Sequence, residues 1–174
     1  MKSTRVPVVF ALLFSLACVQ IGCEIFPSAT NGTPEAHKYM RKSLDAEGVN
    51  NSKQAIGFVS KAIELDGQFV GAIDWRATLY KAEGLKALQD EDNIEKARMY
   101  YQKAINDYLR IHEIEPKDVD SLLGISTVYF EQKDYVQSKK YVDEALGIDP
   151  NNTDARKMSR GLVRLINKQS SPGQ

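Results

Sequence analysis

The chain has 174 residues, 43% of them hydrophobic and 26% charged, which is enough for one ordinary globular core and too little for two. Its 23 basic and 23 acidic residues cancel, and no basic block interrupts the sequence, so the electrostatic footprint of nucleic-acid binding is missing. Both cysteines fall within the first 23 residues, which leaves the rest of the chain without a thiol for catalysis, metal binding or a disulfide.

Lys2 and Arg5 precede an apolar run over residues 6–16, which ends in small residues and Cys18. That order reads as a secretory signal over residues 1–17, because the run is too short for a membrane span. The site resembles the lipobox of bacterial lipoproteins, in which an apolar stretch and a small residue precede the cysteine that receives the lipid. In Ser15-Leu16-Ala17-Cys18 the small Ala17 fits, while Ser15 stands where the family prefers Leu. In Gln20-Ile21-Gly22-Cys23 the last two positions fit and polar Gln20 departs. Cys18 follows the apolar run directly, whereas lipidation there leaves Cys23 as a lone thiol, so both cysteines stay candidates. Two other readings stay open: simple cleavage after Ala17, which frees Cys18 and Cys23 to pair in an oxidising compartment, and an uncleaved signal anchor. Residues 18–33 then form a tether, rich in turn residues from 24 onward. Thr33 followed by Pro34 starts the first helix, with the hydroxyl as N-cap and proline at the first helical position.

From residue 34 to residue 168 apolar side chains recur at helical spacing with no alternating stretch, so the domain is all-α. The spacing also repeats. Residues 36–69 carry Tyr39, Ser43 and Ala46, then Ala55, Val59, Ala62, Leu65 and Gly67. Residues 70–118 carry Ile73, Ala77 and Tyr80, then Ala104, Tyr108, Ile111, Ile114 and Pro116. Residues 119–152 carry Leu122, Ile125, Ser126 and Tyr129, then Ser138, Val142, Ala145, Ile148 and Pro150. Ala or Ser recurs where two antiparallel helices must approach closely, and large residues fill the adjoining grooves. On this reading Tyr108, Leu122 and Ile148 are core side chains.

The third unit is 34 residues long and resembles the tetratricopeptide (TPR) pattern throughout its length, and the other two align with it. The resemblance implies a TPR helical solenoid of three helix pairs. Its middle unit is elongated, spanning 49 residues, with an excess of roughly four helical turns shared between two helices. The expected loop is at residues 89–93, with Leu85 and Leu88 packing against Ile94, Ala97 and Tyr101 in a projecting hairpin. Residues 153–168 place Ala155, Met158, Leu162, Val163 and Ile166 at helical spacing and read as a capping helix over the open end. Residues 169–174 are polar, contain Pro and Gly, and read as a disordered tail.

Chemistry is sparse. His37 and His112 belong to different repeats, and there is no Gly-rich phosphate loop, no His/Cys metal spacing and no nucleophile motif. The expectation is a non-enzyme without cofactor or metal. In the TPR family the first helix of each pair lines a concave groove that holds partners. Carried over by position, the groove residues are His37, Met40 and Leu44, then Asp74, Thr78 and Lys81, then Asp120, Leu123, Thr127 and Phe130. Met40, Leu44, Leu123 and Phe130 are large and apolar, as expected of a binding patch, unless the tether or the cap covers them. The Lys and Asn clamp with which chaperone-cochaperone TPR domains hold a C-terminal carboxylate is missing.

The implied role resembles that of TPR lipoproteins that scaffold bacterial envelope complexes, lipid-anchored at the periplasmic side of the outer membrane and binding a protein or peptide. Two alternatives belong to other classes: a carrier that encloses a small hydrophobic ligand, and a structural protein that self-associates through the elongated hairpin.

Overall fold

The computed structural model describes residues 32–89 and 93–170. These form seven helices and no strand: α1 Pro34–Gly48, α2 Ser52–Leu65, α3 Val70–Ala87, α4 Ile94–Ile114, α5 Val119–Glu131, α6 Tyr135–Ile148 and α7 Thr153–Ser170. Cys18, Cys23, the signal and most of the tether lie outside the described residues, as do residues 90–92 and 171–174.

Local chemistry starts these helices. Thr33 accepts a hydrogen bond from the Ala36 backbone N–H at 3.2 Å, with Pro34 in the first turn. Asn51, Asp118 and Asp134 accept from N–H groups three residues on at the starts of α2, α5 and α6. Asn152 does the same for Ala155 at 2.9 Å ahead of α7. Each cap satisfies a donor that the helix itself leaves unpaired. The reversals after α1 and α5 each pass through a residue with positive φ, Asn50 at 57° and Lys133 at 61°, which turns the chain back tightly.

Each helix packs against the next in chain order, and α3 also touches α5, so the first helices of the second and third pairs lie side by side. This is the architecture of a helical solenoid. Small side chains sit at the crossings as their spacing requires: Ser43, Ala77 and Ser126 from the first helices and Ala55, Ala104 and Ser138 from the second are all fully buried. In the first and third pairs the hydroxyl also bonds across the crossing, Ser43 to the Ala55 carbonyl at 2.8 Å and Ser126 to the Ser138 carbonyl at 2.9 Å. One buried cluster runs from Ala36 to Val128, and a second joins Leu122, Val142 and Ala145 to Ala155 and Leu162 of α7. The seventh helix thus covers the end of the stack.

Four expectations change. Ile148 is 38% exposed, so it is a rim residue of the core. Leu85, Leu88 and Ile94 are exposed too. Ala97 and Tyr101 are buried as expected, joined by Gly84 and Ala87 in place of the leucines. There a methyl group on Gly84 would lie 2.7 Å from the Tyr101 ring, a distance that explains the glycine. In α7, Val163 faces solvent while Leu165 turns inward. Finally, α7 runs through Ser170, so Gln169 and Ser170 belong to the helix and not to a tail.

The middle pair holds one feature that sequence spacing did not suggest. Arg76 of α3 donates two hydrogen bonds to Asp107 of α4, at 2.6 and 2.8 Å, and reaches Ser60 of α2 at 3.4 Å. The two charged side chains are only 18% and 7% exposed. A planar bidentate pair of this kind fixes three helices at once.

Candidate partner-binding groove

The sequence-assigned groove residues stand on α1, α3 and α5, and their surroundings divide them into three zones. On α1, His37 packs its ring against Phe69 at 4.7 Å between centroids. Met40 is half-buried against the main core, and Leu44 is 45% exposed. On α5, Leu123 is half-buried in the second cluster, whereas Phe130 is 43% exposed, with its ring 5.5 Å from that of Tyr135. The four apolar groove residues therefore do not act alike. Met40 and Leu123 partly serve the core; Leu44 and Phe130 are offered to solvent.

At the α5 end the exposed side chain belongs to a built cavity. Thr127 and Phe130 of α5 face Met158, Gly161, Leu162 and Leu165 of α7 across a pocket of about 290 Å³. The Thr127 hydroxyl is turned away into its own helix, donating to the Leu123 carbonyl at 2.8 Å, which leaves the pocket wall apolar. The capping helix does not fill the groove here. It extends it, forming the wall of the pocket opposite α5. Leu165 was not among the sequence-assigned residues, although its spacing of three and seven from Leu162 and Met158 carried the signal.

The centre of the groove is polar and predominantly acidic. Asp74 of α3 lies close enough to Asp118 and Asp120, at the start of α5, to feel their charge. Asp74 is exposed overall; the partial burial of its carboxyl first, then these two neighbours, raise it above the ordinary 3.8, and Lys81 opposes them. Lys81 also acts on Glu131, whose carboxyl is raised chiefly by burial. Beneath them lies Tyr108, 3% exposed. Its phenol is pushed up first by burial, with Thr78 hydrogen-bonding to it and Asp74 and Glu131 nearby. Gly124 makes room for this ring: a methyl group there would sit 2.7 Å from it. Glu131 faces Tyr101 as well, yet Glu131 Oε2 and the Tyr101 hydroxyl are both buried without a hydrogen bond of ordinary geometry.

Asp118 has a second task as the cap of α5, accepting from Ser121 N at 2.7 Å. Asp74 and Asp120 have none: neither forms an ion pair within 4 Å among the described residues. No group of three or more His, Cys, Asp or Glu among the described residues is arranged to hold a metal ion. The arrangement provides apolar contact and charge on one face.

Residues 119–152 match the tetratricopeptide repeat family. No curated protein matches the chain in sequence. Among solved structures, the Sgt2 TPR domain from Aspergillus fumigatus superposes with a TM-score of 0.62 at 17% identity, over 84% of this chain and 90% of that one. The Arabidopsis OM64 TPR domain gives 0.57 at 20% identity, over 75% and 95%. The second TPR domain of human RPAP3, in complex with an HSP70 peptide, gives 0.54 at 14% identity, over 74% and 98%. At such identities the likeness is one of fold. The chain therefore folds as a TPR-type helical solenoid and carries a tetratricopeptide repeat at residues 119–152.

Proposed function

We propose that this protein is a protein-binding scaffold of the bacterial envelope, held to a membrane through a lipidated Cys18 or Cys23, and that its partner lies in the groove formed by α1, α3, α5 and α7. The observation that carries the reading is the apolar pocket at the α5–α7 end, where Phe130 remains 43% exposed beside a cavity that the chain's own capping helix leaves open. Large apolar side chains left in water on one face mark an interaction site. The peptide held by the RPAP3 domain supports a peptide-like partner for this fold.

The carrier alternative finds less support. A pocket of about 290 Å³ lies at the lower edge of the ~300–1,000 Å³ of small-molecule sites, which bury most of their ligand. It suits one or two side chains of a longer partner.

Phe130→Ala tests the groove. Captured from envelope extract, a groove-bound partner loses about 1–3 kcal/mol of affinity, while circular dichroism of the variant is unchanged. A variant that unfolds, or one that captures the same proteins equally well, sinks the groove reading. The anchor is tested separately by intact mass of membrane-extracted protein. A mature form starting at Cys18 or Cys23 without a lipid increment removes it.

A further inference from the structure

The groove's charge narrows the partner, an inference that rests on the groove reading above. Its one assigned cation, Lys81, lies among carboxylates: Asp74, with Asp118 and Asp120 beyond it, on one side, and Glu131 on the other. Asp118 caps α5, but Asp74 and Asp120 have no such structural task. Asp74 and Asp120 pair with no described cation, and Glu131 buries one oxygen without a hydrogen-bond partner. Asp74 and Asp120 are exposed, and like charges gathered on one accessible face favour a partner of opposite charge. Glu131 adjoins Phe130 at the far end of α5, where the apolar pocket of Phe130, Met158 and Leu165 begins, about three helical turns from Asp120.

We propose that the groove's occupant is an extended segment of a partner protein that combines Lys or Arg with a large apolar side chain. The apolar side chain enters the pocket between α5 and α7, and the cation lies against Asp74 and Asp120. Charge complementarity decides the class of partner at the α3–α5 face, because an acidic segment lying there would meet Asp74, Asp118, Asp120 and Glu131 against Lys81 alone. The raised Asp74 carboxyl agrees with this, since a cation brought beside it relieves the crowding that disfavours its charge.

The test is selection of short random peptides from a displayed library against the full chain, followed by titration of the best binders. The expected result is enrichment of peptides with Lys or Arg near Leu, Phe or Met. Their affinity falls with added salt, and Phe130→Ala weakens them. Replacing both acids, Asp74→Lys with Asp120→Lys, weakens them about tenfold and shifts a fresh selection toward acidic peptides, in a variant whose helix content is unchanged. Glu131 stays native, so its buried contacts do not confound the result. Three outcomes overturn the inference. Peptides that depend on Phe130 but are indifferent to the charge swap leave the groove reading standing and remove the basic partner. Native-chain preference for acidic peptides does the same. No enriched peptide, together with a dimer in light scattering that Phe130→Ala dissolves, assigns the groove to a second copy and removes both readings.

Discussion

The first and third helix pairs solve the same packing problem differently from the middle pair. In the outer two a serine on the first helix closes the crossing with a hydrogen bond, Ser43 to Ala55 and Ser126 to Ser138, and a positive-φ residue reverses the chain at once. The middle pair has fully buried Ala77 and Ala104 at the corresponding positions, with no hydroxyl, lengthens both helices and adds the Arg76–Asp107 pair. Short pairs are held by local, neutral bonds at the crossing. The long pair is held by one ring against glycine, Tyr101 on Gly84, and by a charged bond reaching three helices.

That difference is broken most severely at Asp107. Asp107→Ala strands a mostly buried guanidinium and is expected to cost about 3 kcal/mol in urea unfolding. The double change Arg76→Met with Asp107→Leu recovers most of the loss, since apolar replacement of both partners is often near neutral. If the single change costs under half a kilocalorie, the pair is ornamental and the long hairpin stands on packing alone.

Ser126→Ala is milder. It removes one buried neutral hydrogen bond and leaves the Ser138 hydroxyl, 2.8 Å away, without its partner, so about 1 kcal/mol is expected. Adding Ser138→Ala recreates the middle pair's alanine crossing and restores stability to near the starting value. A double variant worse than the single would mean that the two kinds of crossing are not interchangeable.

The reversals offer a smaller effect of opposite sign. Lys133→Gly relieves a side chain held at φ 61° and is expected to gain about 0.5–1 kcal/mol in thermal unfolding, after the greater freedom glycine has when unfolded. Asn50→Gly, at φ 57°, gains less, because asparagine tolerates this conformation. Equal gains would show that strain is not the reason.

The smallest effect is at Asp74 and is read through pH. Its carboxyl is raised in the folded state above the ordinary 3.8, so the folded chain binds this proton more readily than the unfolded chain does. Its charge therefore disfavours folding at neutral pH, and that penalty fades as pH falls through the raised value toward 3.8. Asp74→Asn is expected to be slightly more stable than the native chain at pH 7 and equal to it near pH 3.5. A variant less stable at neutral pH would give Asp74 a structural partner and weaken its assignment to binding.

Much of the fold was legible along the chain because a helix pair is a local object. A period near 3.6 marks each helix, Thr33-Pro34 marks the first start, and small residues mark the crossings, so the pairs and the cap could be read from spacing alone. The excess of 15 residues widens the Ala77–Ala104 spacing to 27, against 12 for Ser43–Ala55, and leaves both alanines fully buried. What spacing leaves undecided is what lies opposite. Met40, Leu44, Leu123 and Phe130 share the same face of the pattern, yet tertiary contacts half-bury the first and third and leave the other two exposed. Arg76 finds Asp107, 31 residues on, and Asp74 is crowded by Asp118 and Asp120 from another repeat. Leu165 joins Phe130 only because α7 lies along α5. Burial, electrostatic crowding and cavities belong to pairs of distant segments, and their energies are set only when the stack brings those segments together.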